Sequence, residues 1–396
     1  MSAAPLVAFL PALPEPPTTG GEIYNRALVA GLRRERELSV ATFAGLGVTA
    51  ATTPRDYAAA ALAWLGRERL APRAVLEDTY VYRQSGPLVS ALRARGFGPI
   101  VGFGQALYPR RFRSPLVRAR AWWALARQLR RYDHHVVVSE AMRRAYRRLG
   151  VPGSRVDVVL PGFELVARHS PEGRRAADGG LRVVTAGTYM PAKGQHLVVE
   201  ALLALGAAGA AAGGFSLEAL GSKRQAPAYV AALEARAARL GERVRLFADV
   251  PQERLWEAFA RADVFVFPAT GEGLGMVVVE AMLCGCVPVV VDDGPLPDLA
   301  GRDGSAGLVV SRHPASIAAA LAQLAEDPAR LAALRAGAIT RARSLARDWP
   351  ETIAAFAAAL DRAERAWGGV PRRGAKESGA PGVEAALSPS HSTTSR

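Results

Sequence analysis

Cysteine is nearly absent from this 396-residue chain. The two present, Cys284 and Cys286, stand in LCGC on different faces of a helix end, a spacing that serves neither a disulfide framework nor a metal site. They read as small, buried, reduced thiols. Lysine is scarce as well: of 50 basic residues only Lys193, Lys223 and Lys376 are not arginine. Lys376 lies in the tail, whereas Lys193 and Lys223 each follow a predicted strand, where a compact ammonium can face a phosphate. No long apolar run occurs. The longest uncharged stretch, residues 201–217, is mostly Ala and Gly and too weakly hydrophobic to span a bilayer. The start, MSAAPLVAFLPALPEPP, has no basic leader and is broken by Pro5, Pro11 and Pro14, which predicts a strand and a loop in a cytoplasmic protein.

Acidic residues are scarce in one region. The formal charge is +14, and between Arg93 and Arg148 fourteen arginines face two acids, Asp133 and Glu140, with Tyr108, Phe112, Trp122 and Trp123 interleaved. Such a stretch suits an anionic membrane surface. Its core, PLVRARAWWALARQLRRY, reads as an amphipathic helix with Leu116, Trp123 and Leu129 on one apolar side. A packed helix with a solvated arginine face fits equally, and both readings stand. Nucleic acid is disfavoured, because no binding motif accompanies the charge.

What the chain has in quantity is α/β rhythm. Its length predicts two domains. Strand-like runs at 6–10, 38–43, 74–76, 99–103 and 135–138 alternate with helical segments such as 23–36 and 140–149, and 156–160 closes this first unit. LRVVTAG, FSLEAL, RVRLFA, VFVFP and VPVVV, with helices at 194–205, 226–240, 251–261 and 276–285, predict a second parallel sheet after a polar interval at 168–180. Helices at 314–325, 328–345 and 349–367 follow. The segment 368–396 is rich in Gly, Pro and Ser and predicts disorder.

The most informative segment runs from Val264 to Val291. It sets Glu272 and Glu280 among glycines inside an otherwise apolar strand, turn, helix, strand unit. GEGLG supplies a tight turn into a helix beginning near Met276, whose unpaired N–H groups and positive dipole end suit an anion such as a diphosphate. The two carboxylates can accept hydrogen bonds from hydroxyls beside it. Anion and polyol together describe a sugar nucleotide. A dinucleotide fingerprint does not fit, since Met276 stands where the third glycine belongs. The plainer reading of Glu280 as a solvated helix residue meets flanking Val277, Val278, Val279, Ala281 and Met282, which leave it little polar face. Lys193 lacks the preceding glycine and following Ser or Thr of a Walker loop. Asp292 and Asp293 read as loop, and His134 and His135 as structural.

The spacing of Glu272 and Glu280, E-x7-E in GEGLGMVVVEAMLCGCVPVV, resembles the signature of the retaining glycosyltransferases of family 4, and the likeness covers residues 5 to 365. TTGGEIYNRALVAGL is similar to that family's glycine loop and first helix. VVVSEAMRRAYRRLGVPGSRVDVVLPGFE resembles its passage into the interdomain hinge, and GTYMPAKGQHLVVEAL its diphosphate loop. The resemblance implies the α/β GT-B fold, two facing Rossmann-like doubly wound parallel-sheet domains: an acceptor-binding domain 1–162, a donor-binding domain 163–348, and a helix 349–367 packing back on the first. It implies transfer of a sugar from a nucleoside-diphosphate sugar to a hydroxyl acceptor (glycolipid, polysaccharide or secondary metabolite) with retention. No metal or other cofactor is expected.

By the same resemblance Glu272 lies by the transferred sugar and Lys193 at the diphosphate, the two catalytic positions. Gly273, Leu274 and Gly275 approach sugar and diphosphate through their backbone, Glu280 holds the ribose, and Gly20 and Gly21 face the donor phosphates. Thr188 stands where the family usually has arginine, so one diphosphate contact is lost or supplied by another cation such as Lys223 or Arg224. Gln105 stands where a first-domain histidine is often found. These departures keep a non-catalytic GT-B binding subunit as an alternative, and a GT-B phosphorylase or epimerase would share the fold.

Overall fold

The computed structural model describes residues 5–15, 17, 19–49, 51–107, 109, 114–164, 180–207 and 214–368. The tail past Gly368 and most of the polar interval 168–180 lie outside them. The first unit runs β1 (Leu6–Leu10), α1 (Gly20–Glu35), β2 (Leu38–Thr42), α2 (Pro54–Arg67), β3 (Ala74–Asp78), α3 (Gly86–Ala94), β4 (Ile100–Gly104), α4 (Pro115–Leu129), β5 (His134–Val137), α5 (Glu140–Arg148) and β6 (Val156–Val158). The second runs β7 (Leu181–Ala186), α6 (Gln195–Ala207), β8 (Phe215–Gly221), α7 (Pro227–Ala237), β9 (Val244–Ala248), α8 (Gln252–Arg261), β10 (Val264–Phe267), α9 (Met276–Leu283), β11 (Val287–Val291), α10 (Leu296–Ala300) and β12 (Leu308–Val310). Then come α11 (Pro314–Glu326), α12 (Pro328–Leu345) and α13 (Trp349–Gly368).

Each unit forms a six-stranded parallel sheet, ordered β2-β1-β3-β4-β5-β6 and β12-β11-β10-β7-β8-β9. The central strands β1, β3, β10 and β11 are buried along their whole length, which explains their near-continuous apolar sequence. In the first sheet the winding direction reverses between β1 and β3, in the second between β7 and β10. At such a switch point successive helices leave to opposite faces and open a crevice at the carboxyl ends of the strands. The loops after β1, β3, β7 and β10 therefore hold the places where this fold binds ligands.

The chain crosses between the units twice, and the crossings lie together. Gly162 forms a parallel bridge with Arg347, and Phe163 N donates to Arg347 O at 2.8 Å. Beyond them α13 returns to the first sheet, with Phe356 edge-on to Phe103 at 5.2 Å and Arg36 on Asp361 at 3.1 Å.

Two expectations need correction. Strand β3 continues past Leu76 through Glu77 and Asp78, both buried, because partners await them: the Tyr57 and Tyr132 hydroxyls donate to Glu77 at 2.7 and 2.6 Å. Leu116, Trp123 and Leu129 do not share one side of α4. Leu129 is fully buried while Leu116 and Trp123 are 79% and 64% exposed, since at about 3.6 residues per turn a position thirteen further on lies on the far side.

Candidate functional site

Both switch points open onto one cleft. After β7 the loop 187–194 carries Thr188 and Lys193; after β10 the loop 268–275 carries Glu272. Lys193 Nζ lies 2.7 Å from Glu272 Oε1 and 5.4 Å from the Phe267 ring centre, with side chains 20% and 12% exposed for the pair. Partial burial and a charge-assisted bond hold the ammonium in one place.

Three bonds fix these loops against each other. Thr270 N donates to Ala192 O at 2.9 Å, and the Arg312 guanidinium donates to Pro268 O and Pro191 O, both at 2.8 Å. Asp293 Oδ2 accepts from Gly271 N at 2.6 Å, so this aspartate braces the glutamate loop instead of idling in a turn. The vicinal pair Asp292 and Asp293 reads as loop by sequence, without this bracing role, and Arg312 did not stand out at all. Their signal was position alone, immediately after strands β12 and β11.

Backbone geometry dominates the next four residues. Gly275, at φ 89°, adopts a left-handed conformation and starts α9, and no side chain caps the helix. At Gly273 a Cβ would sit 1.8 Å from the Gln105 carbonyl oxygen, so only glycine admits this approach of the two domains. Ala106 and Glu272 pair there in an isolated antiparallel bridge, and Ser139 Oγ donates to Gly273 O at 2.5 Å. The same Ser139 oxygen accepts from Met142 N and caps α5. Leu274 is buried.

Glu280, in the second turn of α9, is half-buried, and its carboxyl makes no hydrogen bond or ion pair with any described residue. Burial pushes it up to about 7, and the charge of Glu164 adds to the rise. An unpartnered acid in such a place is ready to accept hydroxyl donors.

Across the cleft, α1 starts at Gly20 opposite the start of α9: a Cβ on Gly20 would lie 3.4 Å from Met276 Sδ, and one on Gly21 3.3 Å from Gln105 Oε1. Gln105 is locked. Its Nε2 donates to Asn25 Oδ1 at 2.8 Å and to Asp78 Oδ2 at 2.7 Å, which uses both amide hydrogens and turns Oε1 toward Gly21. Asp78 also accepts from Tyr80 N at 2.8 Å, and burial pushes its carboxyl up to about 7. Asn25 and Asp78 were not legible as site residues. Beside the glutamate loop a cavity of about 310 Å³ opens between the units, lined by Leu107, Arg144, Arg148, Asp292 and Arg302 among others.

Of the remaining candidates, Lys223 is engaged elsewhere and Thr188 brings no charge to the loop. Lys223 Nζ is engaged by Glu234 of α7 at 2.5 Å and makes no bond to the Lys193–Glu272 pair. Thr188 is buried, and its carbonyl accepts from Gln195 Nε2 at 3.1 Å; its uncharged side chain leaves the usual cation of that position missing. Among the described residues, no group of three or more His, Cys, Asp or Glu is placed to hold a metal ion.

The model of the glycosyl transferases group 1 matches residues 169–344, and that of Glycosyltransferase Family 4 matches residues 18–166. The chain belongs to glycosyltransferase family 4. Among relatives of this family 4 member, the D-inositol 3-phosphate glycosyltransferase of Rhodococcus opacus is 33% identical over 216 residues, covering 52% of this chain and 48% of the relative. That of Thermobispora bispora is 34% identical over 236 residues, covering 54% and 53%. The matched region thus spans about half the length of these relatives. Sucrose-phosphate synthase from Thermosynechococcus elongatus superimposes with a TM-score of 0.70 at 17% identity over 91% of this chain and 100% of the other. Anabaena HepE, solved with UDP and glucose, gives 0.67 at 18% over 90% and 99%. The two-sheet GT-B fold of the family is the fold of this chain.

Proposed function

We propose that this family member moves a sugar from a nucleoside-diphosphate sugar to a hydroxyl acceptor, with retention at the anomeric carbon. The observation that carries the reading is the Lys193–Glu272 pair at 2.7 Å, set at a switch point beside the uncapped start of α9. An incoming diphosphate competes with Glu272 for the ammonium. Once it wins, Lys193 and the free N–H groups of α9 stabilise the charge that grows on the departing diphosphate, and Glu272 turns to the sugar hydroxyls. Glu280 then serves the ribose. The leaving phosphate takes the acceptor proton, and contact of Gly273 with Gln105 keeps water from the reacting carbon. No metal or other cofactor enters this scheme.

The UDP bound in HepE supports a uridine diphosphate donor as the first to test. The acceptor enters from the arginine-lined cavity side, as a glycolipid, polysaccharide or secondary metabolite. We place the protein in the cytoplasm, with no nucleic-acid partner and an anionic membrane surface within reach of the 93–148 region. A thermal-shift panel of UDP, GDP, ADP, TDP and their sugars tests the donor assignment, since a ligand at one hundred times its dissociation constant adds about 2.7 kcal/mol. Absence of a shift with every member would refute it. Thr188 favours one second reading, a GT-B binding subunit without turnover; transfer by the purified protein would remove it.

A further inference from the structure

One face of α4 is built against the usual rule for a helix on a sheet. Leu116, Arg120, Trp123 and Arg127 follow at intervals of four, three and four, so they stand in one line, opposite the buried Ala121, Leu125 and Leu129. Leu116 is 79%, Trp123 64% and neighbouring Val117 46% exposed, and these make three of the five large hydrophobic side chains exposed among the described residues. Scattered single exposures are ordinary, but three on one short helix form a patch. All residues from Ser114 to Arg120 are exposed.

The charge around the patch has one sign. From Arg93 to Tyr132 the sequence contains no acid. Arg118, Arg120 and Arg127 make no ion pair with any described residue, whereas arginines elsewhere pair freely, as Arg182 and Arg335 do on Asp263. The Arg127 guanidinium instead lies 5.5 Å above the Trp123 ring. A protein partner matched to water-exposed arginine would want acids facing an interface of fixed shape. A lipid surface matches the combination better, because indole and aliphatic side chains enter the headgroup boundary while arginine reaches phosphate from the same helix face.

We infer that the exposed stripe of α4 docks the protein on an anionic phospholipid bilayer, with Leu116, Val117 and Trp123 entering the interface and Arg120 and Arg127 meeting lipid phosphates. This deepens the transferase reading and rests on it in one respect, the delivery of acceptor. The segment leading into α4 begins at Gln105 and Ala106, and Ala106 is bridged to Glu272, so the docked helix and the cleft share one short connection. An acceptor carried by lipid would reach the cleft from the surface that α4 touches.

The test is co-sedimentation of the full chain with vesicles of phosphatidylcholine alone and of phosphatidylcholine with phosphatidylglycerol, at low and high salt. Binding is expected only to the anionic vesicles and should weaken with salt. Leu116→Glu with Trp123→Glu, and separately Arg120→Glu with Arg127→Glu, should each weaken it roughly tenfold or more. Both variants should keep the wild-type nucleotide thermal shift, which reports folding and the donor site together. Wild-type protein remaining in the supernatant with both vesicle types would overturn the proposal, as would unchanged binding by the Leu116/Trp123 variant. So would a concentration-dependent dimer dispersed by that variant, which would assign the face to a second copy. Loss of nucleotide shifts with vesicle binding intact would strike the transferase reading alone.

Discussion

Two helices begin at the cleft, and their first turns are built in opposite ways. At α1 the chain seals its own end: Thr19 Oγ1 accepts from Glu22 N at 3.2 Å, Glu22 Oε2 accepts from Thr19 N at 2.9 Å, and Glu22 adds a negative charge to the first turn. At α9 a left-handed glycine precedes the helix, no side chain caps it, and its first turn holds no acid. The box satisfies one helix donor, Glu22 N, and its acid disfavours an anion there. The start of α9 sets no such charge against a ligand. Of the two glycine segments assigned to the donor phosphates by resemblance, 273–275 thus adjoins the helix start that favours an anion more, and Gly20 and Gly21 adjoin the one that carries an acid.

The sharpest way to break this contrast is to remove the cation that stands with the open end. Lys193→Met should lower kcat/KM for transfer by about 10²–10³-fold, in the range of losing one transition-state donor. Retained turnover would leave α9 without its partner. Gly273→Ala comes next: a methyl placed 1.8 Å from the Gln105 carbonyl must separate the two loops, and transfer should fall by roughly 100-fold while the melting temperature of the unliganded protein changes far less. An unaltered rate would mean that this approach of the domains is not the reactive one.

Glu280 gives a pH-dependent prediction with a definite sign. Its folded-state pKa, about 7, lies above the ordinary 4.5, so between these values the folded chain binds more protons than the unfolded one and stability falls as pH rises. Glu280→Gln, which does not titrate, should match the wild type near pH 4 and exceed it above pH 7, by up to about 3 kcal/mol before discounting for partial exposure. Denaturant midpoints across that range measure the gap, and a constant difference would show that the carboxyl is not held neutral by burial. Smaller effects belong to the sealed end. Thr19→Ala should cost about 1 kcal/mol of stability and leave nucleotide affinity unchanged. Gly20→Ala, whose methyl would meet only the flexible Met276 sulfur at 3.4 Å, should change turnover least.

Most strands could be read because they are apolar and β-branched, and β1, β10 and β11 match their expected bounds closely. Three helices and one strand were not anticipated, for reasons of length and contrast. The helix α2 is rich in alanine, which blurs its two faces, α3 spans nine residues, α10 five, and β12 three. The Lys193–Glu272 side of the candidate site was legible because Glu272 and Glu280 stand out in an apolar run and Lys193 is one of three lysines in the chain. The opposite wall was not, since Asn25, Asp78 and Gln105 lie 27 to 80 residues from one another along the Gln105 bonds and meet only because β1, β3 and β4 are adjacent in the sheet. Lys223 shows the converse limit. Position after a strand nominated it, but an acid on α7, invisible to local pattern, claims its charge.

The side-by-side crossings at Gly162 and Arg347 have a mechanical consequence. Two adjacent strands of backbone act as an axle, permitting the halves to swing along one arc and resisting twist. With Trp349 against Gly162, where a Cβ would lie 2.5 Å from the indole, the bearing has little play. A small turn at that bearing would part the loops at Gly273 and Gln105, whose contact leaves no room for a side chain.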